Sequence, residues 1–154
     1  MYQVKVVLVH PQIPQNTGSI ARSCASLKVP LHLVGPYPFE ITEKKVKRAG
    51  LDYWPLVELF QHDDWQSFLN TISTNDRLVF IDNPGTTKYT DYKFDINDCL
   101  VFGSETKGIP KDVLINHKRS VLLEIPMLEP GVRSLNLSNA VSIVLFEAFR
   151  QVSW

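Results

Sequence analysis

Ile125-Pro126-Met127-Leu128-Glu129-Pro130-Gly131-Val132-Arg133-Ser134-Leu135-Asn136-Leu137-Ser138-Asn139-Ala140 is the stretch whose surroundings decide the fold. It leaves a short apolar run, Val121-Leu122-Leu123-Glu124-Ile125, that has the length of a strand. It enters a helical pattern from Asn136 to Gln151. There Ala140, Val141, Ile143, Val144, Leu145, Ala148 and Phe149 cover far more than one narrow stripe. So much apolar surface needs burial on two sides, against a sheet and against a partner subunit. The junction carries Ser134, Asn136, Ser138 and Asn139. One cap is enough for a helix, so four small polar residues exceed the need and point to a polar ligand.

The same strand-then-helix order repeats upstream. Val4-Lys5-Val6-Val7-Leu8-Val9 is β-branched and stops at His10-Pro11, as a buried first strand does. Asn16-Thr17-Gly18-Ser19 opens a helical pattern, with Asn16 as its cap and Ile20, Cys24 and Leu27 on one face. Leu31-His32-Leu33-Val34 reads as a second strand, closed by Gly35-Pro36. Thr42 can cap a short helix bearing Lys44, Lys45, Lys47 and Arg48 and ended by Gly50, and Asp63 or Asp64 can cap another with Trp65, Phe68 and Leu69. Leu78 to Ile81 and Leu100 to Phe102 are further apolar strands, and Pro110 suits the first turn of a helix through Ile115. This alternation implies an α/β class with a mainly parallel sheet flanked by helices, in one domain over residues 1–154. Ligands of such sheets bind beyond the carboxyl ends of strands. That makes the loops after Val9, Ile81, Phe102 and Ile125 the informative ones.

Composition narrows the function. Sixteen basic residues balance sixteen acidic ones. A uniformly basic coat for nonspecific nucleic-acid binding is excluded, a local basic patch is not. No apolar run reaches bilayer length, and Met1-Tyr2-Gln3-Val4-Lys5 does not read as a signal peptide. Cys24 and Cys99 are far apart, which suits free thiols in a reducing cytoplasm better than a disulfide scaffold or a zinc site. His10, His32, His62 and His117 lack metal-binding spacing, so no metal is expected.

Two further loops carry chemical hints. In His10-Pro11-Gln12-Ile13-Pro14-Gln15-Asn16-Thr17-Gly18-Ser19-Ile20-Ala21-Arg22, Gly18 lets another chain come close and Arg22 sits within the helix. Phe102-Gly103-Ser104-Glu105-Thr106-Lys107-Gly108-Ile109-Pro110 is glycine-rich and runs from strand to helix, the usual place for a nucleotide. It is neither a Walker A loop, because Ile109-Pro110 follows Gly108 where Lys and Ser/Thr are required, nor a GxGxxG turn. By itself it suits a ligand or a plain tight turn.

Taken together, Asn16-Thr17-Gly18 with Ile20 and Arg22, then Phe102 to Gly108, then Ile125-Pro126-Met127 with Arg133-Ser134-Leu135-Asn136-Leu137-Ser138-Asn139-Ala140-Val141, resemble the three motifs of the SPOUT RNA 2′-O-methyltransferases. The small size and the segment Arg48-Ala49-Gly50-Leu51-Asp52-Tyr53 look most like the members that methylate the tRNA wobble ribose, on cytidine or modified uridine at position 34. The resemblance implies a SPOUT (α/β-knot) fold with a trefoil knot from about Leu78 through the closing helix, and a homodimer with its site where two subunits meet. It implies S-adenosylmethionine as methyl donor, no metal, and the tRNA anticodon stem-loop as partner. Ile81, Gly103, Glu105, Ile125, Met127, Ser134 and Leu135 then match cofactor-contacting positions or their neighbours, and Arg22, Asn16, Ser134 and Asn136 catalytic ones.

A guanidinium stays protonated and is no base, so Arg22 would grip a phosphate or steady a developing alkoxide. Asn16 would shape the ribose pocket, and Glu105 would order the loop or the arginine. Arg22, Lys44, Lys45, Lys47 and Arg48 would touch RNA phosphates. Phe146 stands where members of the family often carry tyrosine, so no phenolic hydroxyl is available there. Two other readings stay open on the residues alone: the same reaction on another RNA, and a non-catalytic RNA-binding protein that keeps the fold.

Overall fold

A computed structural model describes residues 4–42, 44–45, 52–117 and 119–153. Seven strands, β1 (Lys5–Val9), β2 (Leu31–Val34), β3 (Leu59–His62), β4 (Arg77–Ile81), β5 (Thr87–Lys88), β6 (Asp98–Phe102) and β7 (Val121–Glu124), form one sheet in the order β3-β2-β1-β6-β4-β7-β5. Every pairing is parallel, with registers such as Val6 to Leu31, Val6 to Leu100, Leu78 to Cys99 and Phe80 to Leu122. The expected parallel α/β sheet is therefore present, with two strands, β3 and β5, added at its edges.

Burial on both faces explains the unbroken apolar runs. Side chains alternate across the sheet, so Val6 and Leu8 enter one core with Ile20, Leu100 and Leu145, while Val7 and Val9 enter the other with Phe68, Phe80 and Val113. Helices α1 (Pro14–Ser26) and α4 (Leu137–Ser153) cover the first face, and the short α2 (Trp65–Leu69) and α3 (Lys111–Ile115) cover the second. A fully buried Val, Leu, Ile or Phe contributes about 1.5–3 kcal/mol, and each core holds several such side chains. Asp64 caps α2, accepting from the Ser67 amide at 2.8 Å, and Thr42 Oγ1 accepts from the Lys45 amide at 3.2 Å. The rest of the helix expected after Thr42, with Lys47 and Arg48, lies outside the described residues.

The expectation that Asn16 caps the first helix is overturned. The helix starts at Pro14, its N-cap is Ile13, and that residue offers no side-chain acceptor. Asn16 lies inside the first turn and its amide is used elsewhere, as described below.

The second core holds an imidazole pair. His32 Nδ1 lies 2.8 Å from His62 Nε2, and Phe60 stacks on the buried His32 ring at 4.8 Å. Burial, with the neighbouring His62 and Lys5, pushes the His32 pKa down to about 4. An unfolded chain binds this proton near 6.5, so folding excludes it between pH 6.5 and 4 and stability rises with pH across that window. Denaturant titrations are expected to lose about 1 kcal/mol between pH 7.5 and 5.5, above the range where carboxylates titrate. His32→Leu should remove the larger part of that slope; an unchanged slope would mean the imidazole pair is not its source.

Candidate active site

The carboxyl ends of β4, β6 and β7 open into a cavity of about 320 Å³. Its walls are the loop after β4 (Ile81, Asp82, Asn83), the loop after β6 (Phe102 to Gly108) and the segment between β7 and α4 (Ile125, Met127, Arg133, Ser134, Leu135, Leu137). All seven residues expected to contact a cofactor lie on this one wall: Ile81, Gly103, Glu105, Ile125, Met127, Ser134 and Leu135. They come together because the parallel sheet points three strand ends the same way.

The glycine loop is a tight reversal. Ser104 and Gly108 exchange main-chain hydrogen bonds at 3.2 Å, and Ser104 Oγ accepts from the Lys107 amide at 3.1 Å. A Cβ on Gly103 would stand 1.9 Å from the Gly108 carbonyl carbon, so no other residue fits. Gly108 adopts φ +68°, against the Asp82 carboxylate, which also accepts from the Ile109 amide at 3.1 Å. The loop is thus the tight turn that the sequence offered, and it also lines the cavity.

Glu105 joins this loop to the start of α1. Its two carboxylate oxygens accept from the amides of Gln12 and Ile13, each at 2.8 Å, and from Asn16 Nδ2 at 3.1 Å. The carboxylate stands in for the missing cap and meets the positive end of the helix dipole. Burial pushes its pKa up, but the bonds from Gln12, Asn16 and Ile13 outweigh that and hold it below the ordinary glutamate value. Asn16 Oδ1 in turn accepts from Asn136 Nδ2 at 3.1 Å. Asn136 also caps α4, its Oδ1 accepting from the Asn139 amide at 3.3 Å and from Ser138 Oγ. One line of polar contacts, Glu105 to Asn16 to Asn136, thereby ties three loops through contacts that span 89 and 120 residues of chain.

Arg22 stands apart from this cavity. It lines a second one, of about 570 Å³, with Gly18, Phe39, Ile41, Lys45, Tyr53 and Trp54 among its walls. The two cavities share no described wall residue. Helix phase explains the separation: at about 100° per residue, Asn16 and Arg22 point to different sides of α1. The Arg22 guanidinium lies 5.4 Å from the Tyr53 ring centroid. No atom of the described residues lies within 4 Å of the position of a Cβ on Gly18, so among them this side of the helix is open to another chain. Lys44 and Lys45 are exposed; Lys47 and Arg48 lie outside the described residues. The aromatic wall beside Arg22 went unread in the sequence, although Phe39, Tyr53 and Trp54 flank the basic run on both sides.

The first cavity suits a flat ring with a polar edge. Ile81, Ile125 and Leu135 supply apolar surface, and the main-chain groups of Met127, Ser134 and Leu135 have no hydrogen-bond partner among the described residues. That donor set fits an adenine, whose face is apolar and whose edge reads main-chain groups. Among the described residues no group of three or more His, Cys, Asp or Glu could hold a metal ion, and no helix is long and apolar enough to cross a membrane.

Fold and site together define a parallel α/β protein with a cavity at the carboxyl ends of its central strands and a second, cationic and aromatic cavity beside α1. The pattern of the SpoU rRNA methylase family matches residues 3–146, and the chain belongs to that family. A tRNA (cytidine(34)-2′-O)-methyltransferase of Burkholderia ambifaria is 42% identical over 150 residues, covering 97% of this chain and 96% of the relative. A solved structure described as giving insights into 2-OH methylation of C/U34 on tRNA superposes with a TM-score of 0.88 at 42% identity, over 98% of this chain and 91% of that one. The SpoU methyltransferase AviRb of Streptomyces viridochromogenes, solved with the cofactor AdoMet, superposes at 0.81 with 25% identity, over 96% of this chain and 57% of that one.

The contacts of Glu105 yield a direct test. Glu105→Ala leaves two amides and the Asn16 side chain without their acceptor, and is expected to destabilise the fold by about 1–3 kcal/mol. Glu105→Ala and Asn16→Ala should be non-additive by at least about 0.5 kcal/mol in denaturant titrations. Strict additivity would mean that the shared contact carries no energy.

Proposed function

We propose that this chain is an S-adenosylmethionine-dependent tRNA methyltransferase that modifies the ribose 2′-hydroxyl of the wobble nucleotide, cytidine or modified uridine at position 34. The observation that carries the proposal is the gathering of all three motif loops on one adenine-compatible wall, in a chain that matches relatives of that named activity along nearly its whole length. The setting is cytoplasmic and the RNA element engaged is the anticodon stem-loop.

The family's trefoil knot, from about Leu78 through α4, belongs to this reading. In support, β4 lies between β6 and β7, and the segments that would thread one another crowd a single cavity. A homodimer belongs to it as well. Leu128 is fully exposed, Val132 is 47% exposed, and Phe146 stands out of α4 at 38%. Such surface is typical of a partner interface. Arg22 supplies the stronger reason. Within one copy it lines a cavity that shares no described wall residue with the first, and a second copy that brings its own first cavity opposite would put Arg22 at a reacting centre.

Bound in the first cavity, S-adenosylmethionine supplies an electrophilic methyl group to the ribose oxygen. Ile81, Ile125 and Leu135 would hold its ring, and the main chain of Met127, Ser134 and Leu135 its polar edge. Gly103 keeps the wall close. Glu105, Asn16 and Asn136 act as positioning residues that hold the loops in register. Arg22 would hold the RNA phosphate or steady charge growing on the ribose oxygen. Lys44 and Lys45 are placed to meet further phosphates, and Lys47 and Arg48 are proposed for the same task.

Labelled methyl transfer onto tRNA, followed by mass spectrometric mapping, is expected to place the methyl on the ribose of nucleotide 34. Methylation mapped elsewhere would select the alternative RNA target, and no transfer would select a binding role. Arg22→Ala should lower turnover by at least about 100-fold while cofactor affinity and sedimentation stay unchanged. Full turnover in that variant would remove Arg22 from the mechanism.

A further inference from the structure

We propose that the second cavity receives an unstacked base of the substrate RNA, held between the rings of Phe39, Tyr53 and Trp54 with its phosphate on Arg22. This rests on the reading of the chain as an RNA methyltransferase and adds a binding subsite to it.

The cavity is built for a flat apolar face with an anion attached. Its volume of about 570 Å³ lies in the range of small-ligand pockets. Three aromatic rings and Ile41 line it, all half-buried, so each keeps a face that water covers poorly. Tyr53 is fixed, its hydroxyl donating to the Gly18 carbonyl at 2.9 Å. Phe39 leans on Tyr37 with ring centroids 5.0 Å apart. Arg22 stands over one face of the Tyr53 ring, 5.4 Å from its centroid, so a cation adjoins the aromatic wall. Lys45 lies at the rim, in a loose pair with Glu40 at 3.9 Å. Thr17, on the same wall, carries a buried hydroxyl without a hydrogen-bond partner among the described residues.

Aromatic rings interleaved with cations are how proteins hold single-stranded RNA, whose bases must be splayed out of their stack before a loop nucleotide can be reached. A ribose targeted at its 2′-hydroxyl presents that geometry: the base turns one way while the phosphate stays on the strand. Glu40 adds an acceptor at the rim for an exocyclic amino group, an edge that cytosine offers.

The test uses the full-length protein, S-adenosylmethionine and an anticodon stem-loop RNA. Wild-type methyl transfer is measured first; its absence overturns the methyltransferase reading itself. RNA affinity is then measured separately. Phe39→Ala is expected to weaken it at least about tenfold with cofactor affinity and sedimentation unchanged, and Phe39→Trp to retain it. An RNA made abasic at the loop position that seats in the cavity should lose a similar factor, and combining it with Phe39→Ala should add little. Trp54→Phe keeps a ring, and Trp54→Leu, which keeps the packing but not the aromatic face, should weaken RNA as Phe39→Ala does. RNA affinity within twofold of wild type in both Phe39→Ala and Trp54→Leu would overturn the proposal. So would a shift in sedimentation with RNA affinity intact, which would give the cavity to a second copy of the chain.

Discussion

A single carboxylate decides whether this molecule has a site at all. Glu105 accepts three hydrogen bonds from the chain that enters α1, and no residue local to that helix provides them. The parallel sheet brings the strand ends to one side, but strand ends alone leave their loops free to lean in any direction. The carboxylate fixes the angle between the first loop and the glycine loop, and Asn16 passes the constraint to Asn136 at the start of α4. The neighbouring helix dipole and the donated amides keep Glu105 ionised, so the same contacts that order the loops also maintain the charge that orders them.

This arrangement explains which parts of the molecule could be read from the order of residues. The interior strands β1, β2, β4 and β6 are short apolar runs largely buried on both faces, and turn residues bound them as strands. β3 escapes because Leu59-Phe60-Gln61-His62 mixes polar and apolar residues on an edge that is only half covered. β5 escapes because two residues carry no pattern, and it exists only because Thr87 and Lys88 meet the end of β7. Asn16 resembles a cap since asparagine before an apolar helix usually is one. Its real partner lies 89 residues away, and no local rule reports it. The residues proposed for a cofactor share one cavity for the opposite reason: they lie at or beyond the ends of recognisable strands, and parallel topology brings those ends together.

Arg22 marks a different limit. Its place in the motif points to the reacting centre, while its phase on α1 turns it toward a separate cavity. Both statements hold if the functional unit is larger than one chain. The exposed side chains of Leu128, Val132 and Phe146 agree with the proposed partner on separate grounds of surface energy. The proposed dimer therefore answers two unrelated demands, one chemical and one of solvation, with one contact.

The two cavities also differ in how they are held, and the difference suits what each would bind. The cofactor cavity is floored by strand ends that are almost wholly buried and by a loop in which even a methyl group on Gly103 collides. Its outer side is the exposed segment from Leu128 to Asn136, anchored by Asn83 Nδ2 on the Ile125 carbonyl at one end and by Asn16 at the other. A small ligand of fixed shape gains from a rigid floor, and an anchored outer segment can fold over it without disturbing the sheet. Among the described residues the aromatic cavity has no such frame. Its walls come from loops between β2 and β3 and from the open side of α1, held by a tyrosine hydroxyl, a ring contact and a loose ion pair. Walls of that kind adjust to a strand whose bases differ in size, whereas exact placement of the ribose oxygen has to come from the rigid side. Near-zero net charge fits this division. Without a broad electrostatic field, affinity for RNA must come from a few local contacts, and stacking surface next to one or two cations is the most compact way to supply it.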